Sequence, residues 1–555
     1  MKYFNHHAYS VRIIFPVMIF LSVFSTQLKA QQLFLPLEKQ SLNLYESKLN
    51  QKNVVFHTSF KPYLVSSLPA SCREDSLFSW MKTPADSRKP VRWLYNHITS
   101  DNFINIHEDD FNMSINPYVD FEIGKDFNWD RTIYTNSRGA IMKGDIGNKF
   151  SFETYFSENQ SLFAQYITAF VIDSNVAPGQ GRAVGFKRDR SYDYASGTGY
   201  ISYTPSKHFN FQFGQNKVFI GDGYRSLLLS DNASSYPLLK ITTTAGKFQY
   251  TNLWAQMIDK TQSSILGEGF RRKYLALHHL SILLGSKIEL GFFEAIVWQA
   301  QDSSSYRGFD INYLNPIIYY HSVQWNLGSP DNSLIGMNFK WKISNKLSFY
   351  NQFLLDDFDL GNSKGHKGFY RNKYAYQLGL KCFDALGLKG FFMQAEYNEV
   401  WPYTFAHKIS LINYAHYNQP LADPLGANFR EGLIFLQYNH QRWFAGLELM
   451  YVLTGIDSAS GDVGQNVYLS EYNIPNSFNL QGKFIGSYGN YVGQGVTVST
   501  QFAQLKINYL INRHNNLLAE LAFTSRNQNI DGQNHTTNFV SFGIKTSLFN
   551  HYYDF

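Results

Sequence analysis

The sequence predicts an all-β protein: a transmembrane antiparallel up-and-down β-barrel of about 18 strands with a small N-terminal periplasmic segment. Three observations support this fold class. Apolar and polar residues alternate with a period of two along most of the chain, as in strands with one apolar and one wet face. Aromatic residues make up 17% of the 555 residues, which suits the interfacial girdles of a membrane barrel. After the N-terminus, no stretch reaches the roughly 18 consecutive apolar residues of a membrane helix.

The stretch 335–355 shows the alternation most clearly. The intervening positions of its first half are small or polar and include Lys340 and Lys342. After a turn at 344–346 the pattern resumes. The large apolar residues of the first half are Ile335, Met337, Phe339, Trp341 and Ile343. Because this alternation recurs with lysines on the polar side, it indicates lipid on one face of the sheet and a watery lumen on the other.

The charge of the chain excludes one class of partner. The formal net charge is +6, and Lys2, Arg12 and Lys29 in the leader carry three of these charges. The rest of the chain is too weakly basic to indicate nucleic acid. Outer-membrane lipid is the partner that the strand pattern predicts.

Residues 1–30 are predicted to be a secretory signal peptide. Lys2 and Arg12 precede an apolar core at 13–24, and cleavage is expected before Gln31. This core is too short to span a bilayer, and no cysteine follows the cleavage site to accept a lipid anchor. Export followed by alternating strands predicts the Gram-negative cell outer membrane, with surface-exposed loops.

Residues 31–116 differ from the rest of the chain because they are mixed and polar, with a weak helical period at 36–49. We expect a periplasmic segment that packs under the barrel or plugs it. The alternative is a loosely ordered leader to the first strand.

Residues 117–555 are predicted to form the barrel. Barrels of this kind favour even strand numbers, so one of nineteen candidates is expected to be wrong, and 162–173 has the weakest pattern. The last candidate leads to aromatic residues at Tyr553 and Phe555, as is typical of a final barrel strand. The candidates are 118–127, 133–146, 149–157, 162–173, 195–204, 207–217, 238–244, 247–257, 273–284, 286–298, 333–343, 346–356, 373–382, 388–400, 429–439, 442–454, 497–511, 514–526 and 536–549.

Tight turns and long connections alternate between these strands. Turn-forming residues join strands at positions such as Pro205-Ser206 and Ala245-Gly246. The tight-turn end is expected to face the periplasm and the long-loop end the cell exterior. The expected long connections are 174–194, 218–237, 258–272, 299–332, 357–372, 401–428 and 455–496.

Several motifs resemble a known family. The run Gly221–Ala233 with Tyr236-Pro237, and the stretch from Glu294 to Asn332, are similar to the signature of capsule-assembly Wzi-like outer-membrane proteins. The segment His416–Phe429 and the Tyr552–Phe555 ending resemble the gliding-motility protein RemB group. The resemblance covers the chain from about residue 110 and implies a large surface-exposed barrel. It also implies polysaccharide attachment or a part in gliding, with gliding or secretion machinery proteins as partners.

The motifs of the sequence favour a protein that is not an enzyme. The sequence contains no HExxH, GxSxG, phosphate-loop or metal-spaced cysteine pattern, so we predict no catalytic residues and no cofactors. His278 and His279 lie within a strand and should point to opposite faces, which argues against a shared metal site and favours one histidine in the lumen and one on the lipid side or at the rim. The charged run 187–190 could attract an acidic polymer or could be a solvated loop.

Two loops supply candidate glycan-binding residues. Tyrosine offers an apolar face to a sugar ring, whereas Asn, Asp, His and Arg bond hydroxyl or acidic groups. The alternative is that these residues make turns and interfacial anchors. The candidates are Tyr224, Arg225, Asp231, Asn315, Tyr319, Tyr320, His321, Asp331 and Asn332.

Arg225 is the leading candidate. Three leucines follow it at 227–229, and we expect this loop to fold inward because exposed leucines are unfavourable. An arginine held beside a packed segment would bind acidic groups well. In the alternative, Arg225 pairs with Asp231 and folds the loop.

Three function classes remain. The first is a non-enzymatic surface protein that acts in gliding motility, in attachment of surface polysaccharide, or in both. The second is a porin or diffusion channel, which requires an open lumen. The third is a barrel-borne hydrolase, for which the sequence offers no recognisable nucleophile. We expect low conductance, because the N-terminal segment or inward-folding loops could fill the lumen.

The two cysteines, Cys72 and Cys382, could form a disulfide bond. Cys72 lies in the expected periplasmic segment, and Cys382 lies at the end of a strand before a periplasmic turn. Both would face an oxidising compartment. The alternative is two unpaired cysteines.

Overall fold

The computed structural model describes residues 32–78, 90–185, 190–263, 269–301, 306–316, 319–359, 367–457, 461–473, 477–478, 484–485 and 487–555. The predicted signal peptide and residues 187–189 of the charged run lie outside these residues.

Eighteen strands form one closed antiparallel barrel, which confirms the predicted fold class. The wall begins at Phe111, earlier than the expected boundary at 117. Strand β18 pairs with β1 from Phe539 opposite Asp126 to Lys545 opposite Asp120, so the wall closes on itself. The strands are β1 (Phe111–Asp126), β2 (Arg131–Ile146), β3 (Phe150–Leu162), β4 (Tyr192–Ser206), β5 (Phe209–Asn216), β6 (Tyr236–Ala245), β7 (Phe248–Ser263), β8 (Phe270–Leu284), β9 (Ile288–Gln299), β10 (Asn332–Lys342), β11 (Leu347–Asp357), β12 (Lys373–Phe383), β13 (Phe391–Val400), β14 (Phe429–His440), β15 (Trp443–Ile456), β16 (Val496–Asn512), β17 (Leu517–Ile530) and β18 (Gln533–Thr546).

The two faces of the wall differ as the alternation predicts. In β10 and β11, Lys340, Lys342 and Gln352 are buried in the lumen, whereas Met337 and Phe353 are exposed on the outside. An apolar belt around a closed barrel is the surface that lipid covers. Further exposed members of this belt include Phe121, Ile123, Phe292, Trp341, Leu378, Leu380, Ile434, Leu505, Leu521, Phe523, Phe542 and Ile544.

Tight turns and long connections lie at opposite ends of the barrel. One end carries only short connections, such as 207–208, 246–247 and 441–442. The other end carries the long ones, together with shorter connections at 127–130, 264–269 and 531–532. The predicted long connection 258–272 is wrong, because β7 continues to Ser263 and β8 begins at Phe270. This asymmetry assigns the tight-turn end to the periplasm and the other end to the cell exterior. The long connections at the extracellular end are 163–191, 217–235, 300–331, 358–372, 401–428 and 457–495.

The predicted strand at 162–173 is wrong. Strand β3 ends at Leu162, and the residues that follow form an α-helix over Gln165–Ser174. Ile167 and Val171 lie one helical turn apart and are both buried. The error arose because a short apolar run does not distinguish a helix from a strand. Each of the other eighteen predicted strands corresponds to one strand of the wall.

Five helices lie among the described residues: α1 (Lys39–Leu49), α2 (Glu74–Leu77), α3 (Pro90–Thr99), α4 (Gln165–Ser174) and α5 (Tyr320–Leu327). None of them is both long enough and apolar enough to cross a membrane. Short strands pair outside the main ladder, including Phe60–Lys61 with Phe219–Ile220, and Ala415–His416 with Gln419–Pro420. Ile104–Glu108 extends the sheet beside the first part of β1.

Residues 32–78 enter the barrel from its periplasmic end, and we call them the plug segment. Its helix α1 begins at Lys39, where the Glu38 carboxylate accepts hydrogen bonds from the backbone N–H groups of Gln40 and Ser41. Asn50 at its other end donates to the backbone of the periplasmic turn at Asn345, at 3.1 Å. The plug segment therefore spans from the periplasmic rim into the lumen.

Residues 547–555, which we call the tail, also occupy the lumen. The predicted last strand, 536–549, lies three residues too far along the chain, because β18 spans Gln533–Thr546 and the following residues turn inward. The ring of Phe555 lies 4.8 Å from that of Phe170 in α4, on the extracellular side. The tail therefore runs from the periplasmic end towards the extracellular end, inside the wall.

Candidate functional site

The predicted site residue Arg225 lies inside the barrel. It belongs to the β5–β6 connection, residues 217–235, which turns inward and which we call the inner loop. Its Nη2 lies 2.9 Å from Glu431 Oε1 and 3.0 Å from Asp554 Oδ2, and its Nε lies 3.7 Å from Asp423 Oδ2. The Arg225 side chain is only 1% exposed. One buried cation thus connects the inner loop to strand β14, to the 401–428 connection and to the tail.

Wall side chains hold the inner loop by its backbone. The Glu396 carboxylate in β13 accepts from the N–H groups of Tyr224 at 2.7 Å and Arg225 at 3.0 Å. Gln352 in β11 accepts from the N–H of Leu227 at 2.8 Å. The leucines at 227–229 are fully buried, as predicted for this loop.

The alternative Arg225–Asp231 pair does not form. Asp231 instead accepts hydrogen bonds from the Tyr552 hydroxyl and from Asn550 Nδ2, each at 2.7 Å. Both partners belong to the tail, and the ring of Tyr224 also lies 5.4 Å from that of Tyr552. The three predicted residues of the inner loop therefore meet, but they meet around the tail.

The buried carboxylates around Arg225 stabilise its charged form. Burial alone would lower the pKa of Arg225, but Asp554, Glu431 and Asp423 outweigh it and raise that pKa well above its ordinary value. Burial, together with the charge of Glu431, raises the pKa of Asp423 well above its usual range. The guanidinium of Arg225 therefore stays charged among these buried carboxylates.

A second buried network joins the plug segment to the wall. Glu46 in α1 lies 2.5 Å from Lys381 Nζ of β12 and 3.5 Å from Lys61 Nζ. Asp222 of the inner loop lies 2.8 Å from Lys340 Nζ of β10 and 3.7 Å from Lys61 Nζ. Burial opposes the charge on Glu46, but Lys381 and Lys61 outweigh it and lower its pKa to about 2. The lysines on the predicted lumen face therefore fix the plug segment and the inner loop.

Glu289 of β9 fixes the plug segment at another point. Its carboxylate accepts from the backbone N–H and hydroxyl groups of Thr58 and Ser59, at 2.7 to 3.1 Å, and from the Ser281 hydroxyl at 2.7 Å. A carboxylate with this many donors holds the backbone of the plug segment in one position.

The described residues of the β9–β10 connection, 306–316 and 319–331, fold over the outside of the barrel. We call them the outer-wall segment. Trp254 and Trp298 point outward from β7 and β9, and their indole N–H groups donate to the backbone oxygens of Tyr313 at 2.7 Å and Gly308 at 3.2 Å. Tyr313 and Tyr320 are fully buried against this wall.

The remaining predicted glycan-binding residues belong to this segment or flank it. Asn315, Tyr319 and His321 are exposed. Tyr320 stacks on His278, with ring centroids 4.1 Å apart. Asp331 is buried and accepts from Arg307 at 2.8 Å and from the Tyr313 hydroxyl at 2.6 Å. Asn332 points into the lumen, where it donates to the Ile412 carbonyl at 3.0 Å. Apart from Asn332, these residues are therefore separated from the inner-loop residues by the thickness of the wall.

The two adjacent histidines point to opposite faces, as predicted. His278 lies on the outer face beneath Tyr320, whereas His279 lies in the lumen, with its Nε2 2.9 Å from Asn338 Oδ1. Among the described residues, no group of three or more His, Cys, Asp or Glu side chains is arranged to hold a metal ion.

Of the two alternatives for the cysteines, the structure shows the unpaired one, with free thiols at Cys72 and Cys382. Cys72 is buried among residues of the plug segment. Lys381 points into the lumen to reach Glu46, so its neighbour Cys382 points to the outer face. The two sulfur atoms thus lie on opposite sides of the wall.

A cationic cluster at the extracellular rim was not predicted from the sequence. Arg182, Lys260, Phe270 and Tyr417 come from three separate regions of the chain and meet there. Arg271 and Arg272 follow Phe270 along β8. The run Arg271-Arg272-Lys273 was a local signal of positive charge, but its partners lie far away in the sequence.

Some space remains inside the barrel. A cavity of about 270 Å³ lies between the plug segment, the tail and the wall strands around the β18–β1 closure. Charged side chains line it, including Lys39, Asp120, Glu122, Lys506 and Lys545. Burial lowers the pKa of Lys39 to about 7, although Asp231 acts in the opposite direction.

Comparison with known proteins gives matches of fold only. No family model and no curated protein sequence matches the chain. Among solved structures, the chain resembles Wzi of Escherichia coli, with a TM-score of 0.53, 14% identity, and coverage of 93% of this chain and 100% of that chain. Wzi is described as an outer-membrane protein involved in group 1 capsule assembly and as a carbohydrate-binding β-barrel. OprD of Pseudomonas aeruginosa gives a TM-score of 0.42 at 9% identity, covering 78% of this chain and 94% of that chain.

Closure of the wall, its apolar outer belt and the asymmetry of its connections agree with the fold of Wzi. The chain is therefore a β-barrel of the Gram-negative outer membrane, with lipid around its wall.

Proposed function

We propose that this protein is a non-enzymatic barrel that acts at the cell surface in the attachment of surface polysaccharide. The observation that carries the proposal is the occupied lumen. The plug segment, the inner loop and the tail fill it and are joined by buried ion pairs around Arg225 and Glu46. A barrel whose lumen is filled passes few solutes. Its extracellular face is therefore the surface available for function.

Two further points support polysaccharide as the ligand class. The extracellular rim combines aromatic rings with cations, which suits sugars that carry acidic groups. The likeness to a fold described as carbohydrate binding makes polysaccharide the first class to test. A role in gliding motility is supported by the sequence resemblance alone.

A diffusion channel is the second candidate function. The cavity lined by Asp120, Glu122 and Lys545 favours it, since a polar space remains beside the tail. Its volume of about 270 Å³ is small for a passage that crosses the whole barrel. The TM-scores to the porins are too low to argue for conduction.

Conductance in planar bilayers separates the two functions. We expect the purified protein to give little or no conductance, because the three inner segments block the lumen. A strain that lacks the gene provides the second measurement, scored for retained surface polysaccharide and for spreading motility. Loss of polysaccharide, restored by the wild-type gene, is the expected result. Large, stable single channels with unchanged surface polysaccharide would contradict the proposal.

A further inference from the structure

Aromatic rings order the cations of the extracellular rim. The Arg182 Cζ lies 5.9 Å from the centroid of the Phe270 ring, and Lys260 Nζ lies 5.8 Å from the same centroid. Lys260 Nζ also lies 4.9 Å from the centroid of Tyr417. These contacts place two cations of different chain regions around one pair of rings, whose own centroids are 6.4 Å apart.

Backbone contacts fix the three regions relative to one another. Lys260 Nζ donates to the Asn175 carbonyl at 2.8 Å, just after α4. The N–H of Tyr417 donates to the Ile258 carbonyl in β7 at 2.8 Å, and Asn418 Nδ2 donates to the Ser174 carbonyl at 3.2 Å. Hydrogen bonds between the three regions therefore fix the positions of the residues in this cluster.

The cations of the cluster lack acidic partners. Within the described part of the chain, Arg182, Lys260, Arg271 and Arg272 make no ion pair within 4 Å, and the buried Nε of Arg271 has no hydrogen-bond partner. Asp259 stands opposite Arg271 in the β7–β8 ladder, but it is buried and accepts from the N–H of Thr261 at 2.7 Å. Other arginines near this end have partners; Arg307, for example, pairs with Asp310 and Asp331.

Unpaired cations held beside rings are suited to one class of ligand. Guanidinium and ammonium groups bond carboxylates and other anionic groups. The Lys260 ammonium has three donors and uses one of them for the Asn175 carbonyl. The half-buried rings of Phe270 and Tyr417 offer apolar contact for the C–H face of a sugar ring. A polymer of acidic sugars presents both kinds of group at repeated intervals.

We propose that Arg182, Lys260 and Arg272, together with the rings of Phe270 and Tyr417, bind the acidic groups of a surface polysaccharide. This inference rests on the proposed function and adds the chemical class of the polysaccharide and the residues that contact it. Binding is electrostatic at an exposed rim, so salt weakens it.

The test measures binding of polygalacturonate and of neutral dextran to the purified full chain in detergent. We expect the wild type to bind polygalacturonate and not dextran. Arg182→Gln with Lys260→Gln should weaken polygalacturonate binding about tenfold or more, because each removed charge takes away one exposed contact. The control is Lys125→Gln with Arg430→Gln, which makes the same charge change at two residues that already have partners, Asp130 and Glu399. It should stay within about twofold of the wild type.

Folding of each variant is checked by heat-modifiable gel migration. A second measurement uses the wild type alone and follows polygalacturonate binding as the salt concentration rises. Equal binding by the rim variant and the wild type, equal binding of dextran, or binding that salt does not weaken would each overturn the inference. Those results would leave polysaccharide attachment by another surface open. The proposed function itself fails on different evidence, namely large conductance with unchanged surface polysaccharide in the deletion strain.

Discussion

At the scale of single residues, Arg225 shows how the lumen is held closed. Its guanidinium is shared by Glu431, Asp554 and Asp423, which come from three different regions of the chain. Removing one member of a buried ionic group is costly, because the remaining charges stay desolvated without a partner.

We therefore expect Arg225→Met to destabilise the folded barrel by several kcal/mol, roughly 3 to 5. The measurement is the temperature at which the folded band disappears on a heat-modifiable gel. Arg430→Met is the matched control, because Arg430 also pairs with a glutamate, Glu399, but its side chain is 47% exposed. That control should cost less than about 1 kcal/mol. Equal shifts in the two variants would contradict a buried structural role for Arg225.

We expect His416 to make the closed lumen sensitive to acid. Its Nδ1 accepts a hydrogen bond from the N–H of Ile258 at 3.0 Å, so protonation there would break the bond. Burial lowers its pKa to about 3, and the nearby Lys273 and Lys217 add to this effect. The Tyr236 ring packs against it, 5.6 Å between centroids, and carries no compensating charge.

Protonation of His416 should lower the stability of the folded barrel at acidic pH. The unfolded chain takes up a proton at this histidine below a pH of about 6.5, whereas the folded chain resists protonation down to a pH of about 3, so acid favours unfolding. Between pH 7 and pH 5 the loss from this residue is about 2 kcal/mol. We expect His416→Asn, whose side-chain oxygen can still accept from Ile258, to lose less stability on acidification than the wild type. Denaturant midpoints at both pH values measure this. Equal losses of stability between pH 7 and pH 5 in the wild type and in His416→Asn would contradict this role of His416.

At the scale of elements, the outer-wall segment is the least expected feature. It covers Trp254, Trp298 and His278 on the outer face and itself exposes apolar side chains. Trp325 of α5 is 79% exposed. Since this face of the wall meets lipid, α5 resembles an interfacial anchor more than a sugar-binding loop.

We expect Trp325 to contact lipid. In nanodiscs of lipids with brominated acyl chains, Trp325→Tyr should remove part of the fluorescence that the bromine quenches. Trp129→Tyr provides the control, because Trp129 lies on the extracellular turn at 127–130. An unchanged quenched fraction in Trp325→Tyr, or an equal loss in both variants, would place α5 away from the acyl chains.

At the scale of the whole molecule, the wall and its contents form one structure. Lumen-facing Lys340, Lys342 and Lys381 all contact the plug segment or the inner loop. Lys342 Nζ, for example, donates to the Leu49 carbonyl at the end of α1 at 2.6 Å. The wall should therefore lose stability when a plug contact is removed.

We expect Lys381→Met to expose the plug segment to added protease and to lower the temperature of the barrel transition. Its partner Glu46 would stay buried with less compensation. Glu46→Gln combined with Lys381→Met should recover part of the loss, with a coupling energy of about 1 to 3 kcal/mol in a double-mutant cycle. Strict additivity of the two single variants would show that plug and wall are not coupled through this pair.

The sequence by itself determined the wall of the barrel. Period-two alternation identifies a strand and assigns each side chain to a face, so Lys340 and Lys342 were placed in the lumen and Trp341 on the outside. Turn residues located the periplasmic end. The leucines at 227–229 indicated that their loop folds inward, because three adjacent leucines are unfavourable when exposed to water.

Only the tertiary structure decided what fills and surrounds that wall. Arg225 meets Glu431 and Asp554, which lie 206 and 329 residues further along the chain, and no local pattern links such distant residues. The same holds for the rim, where Arg182, Lys260 and Tyr417 meet. Apolar segments such as 163–174 and 306–331 satisfy local rules as a strand, a helix or a loop. Whether they pack inside or outside depends on which apolar surface the closed barrel leaves uncovered, and that surface exists only after the strands have assembled.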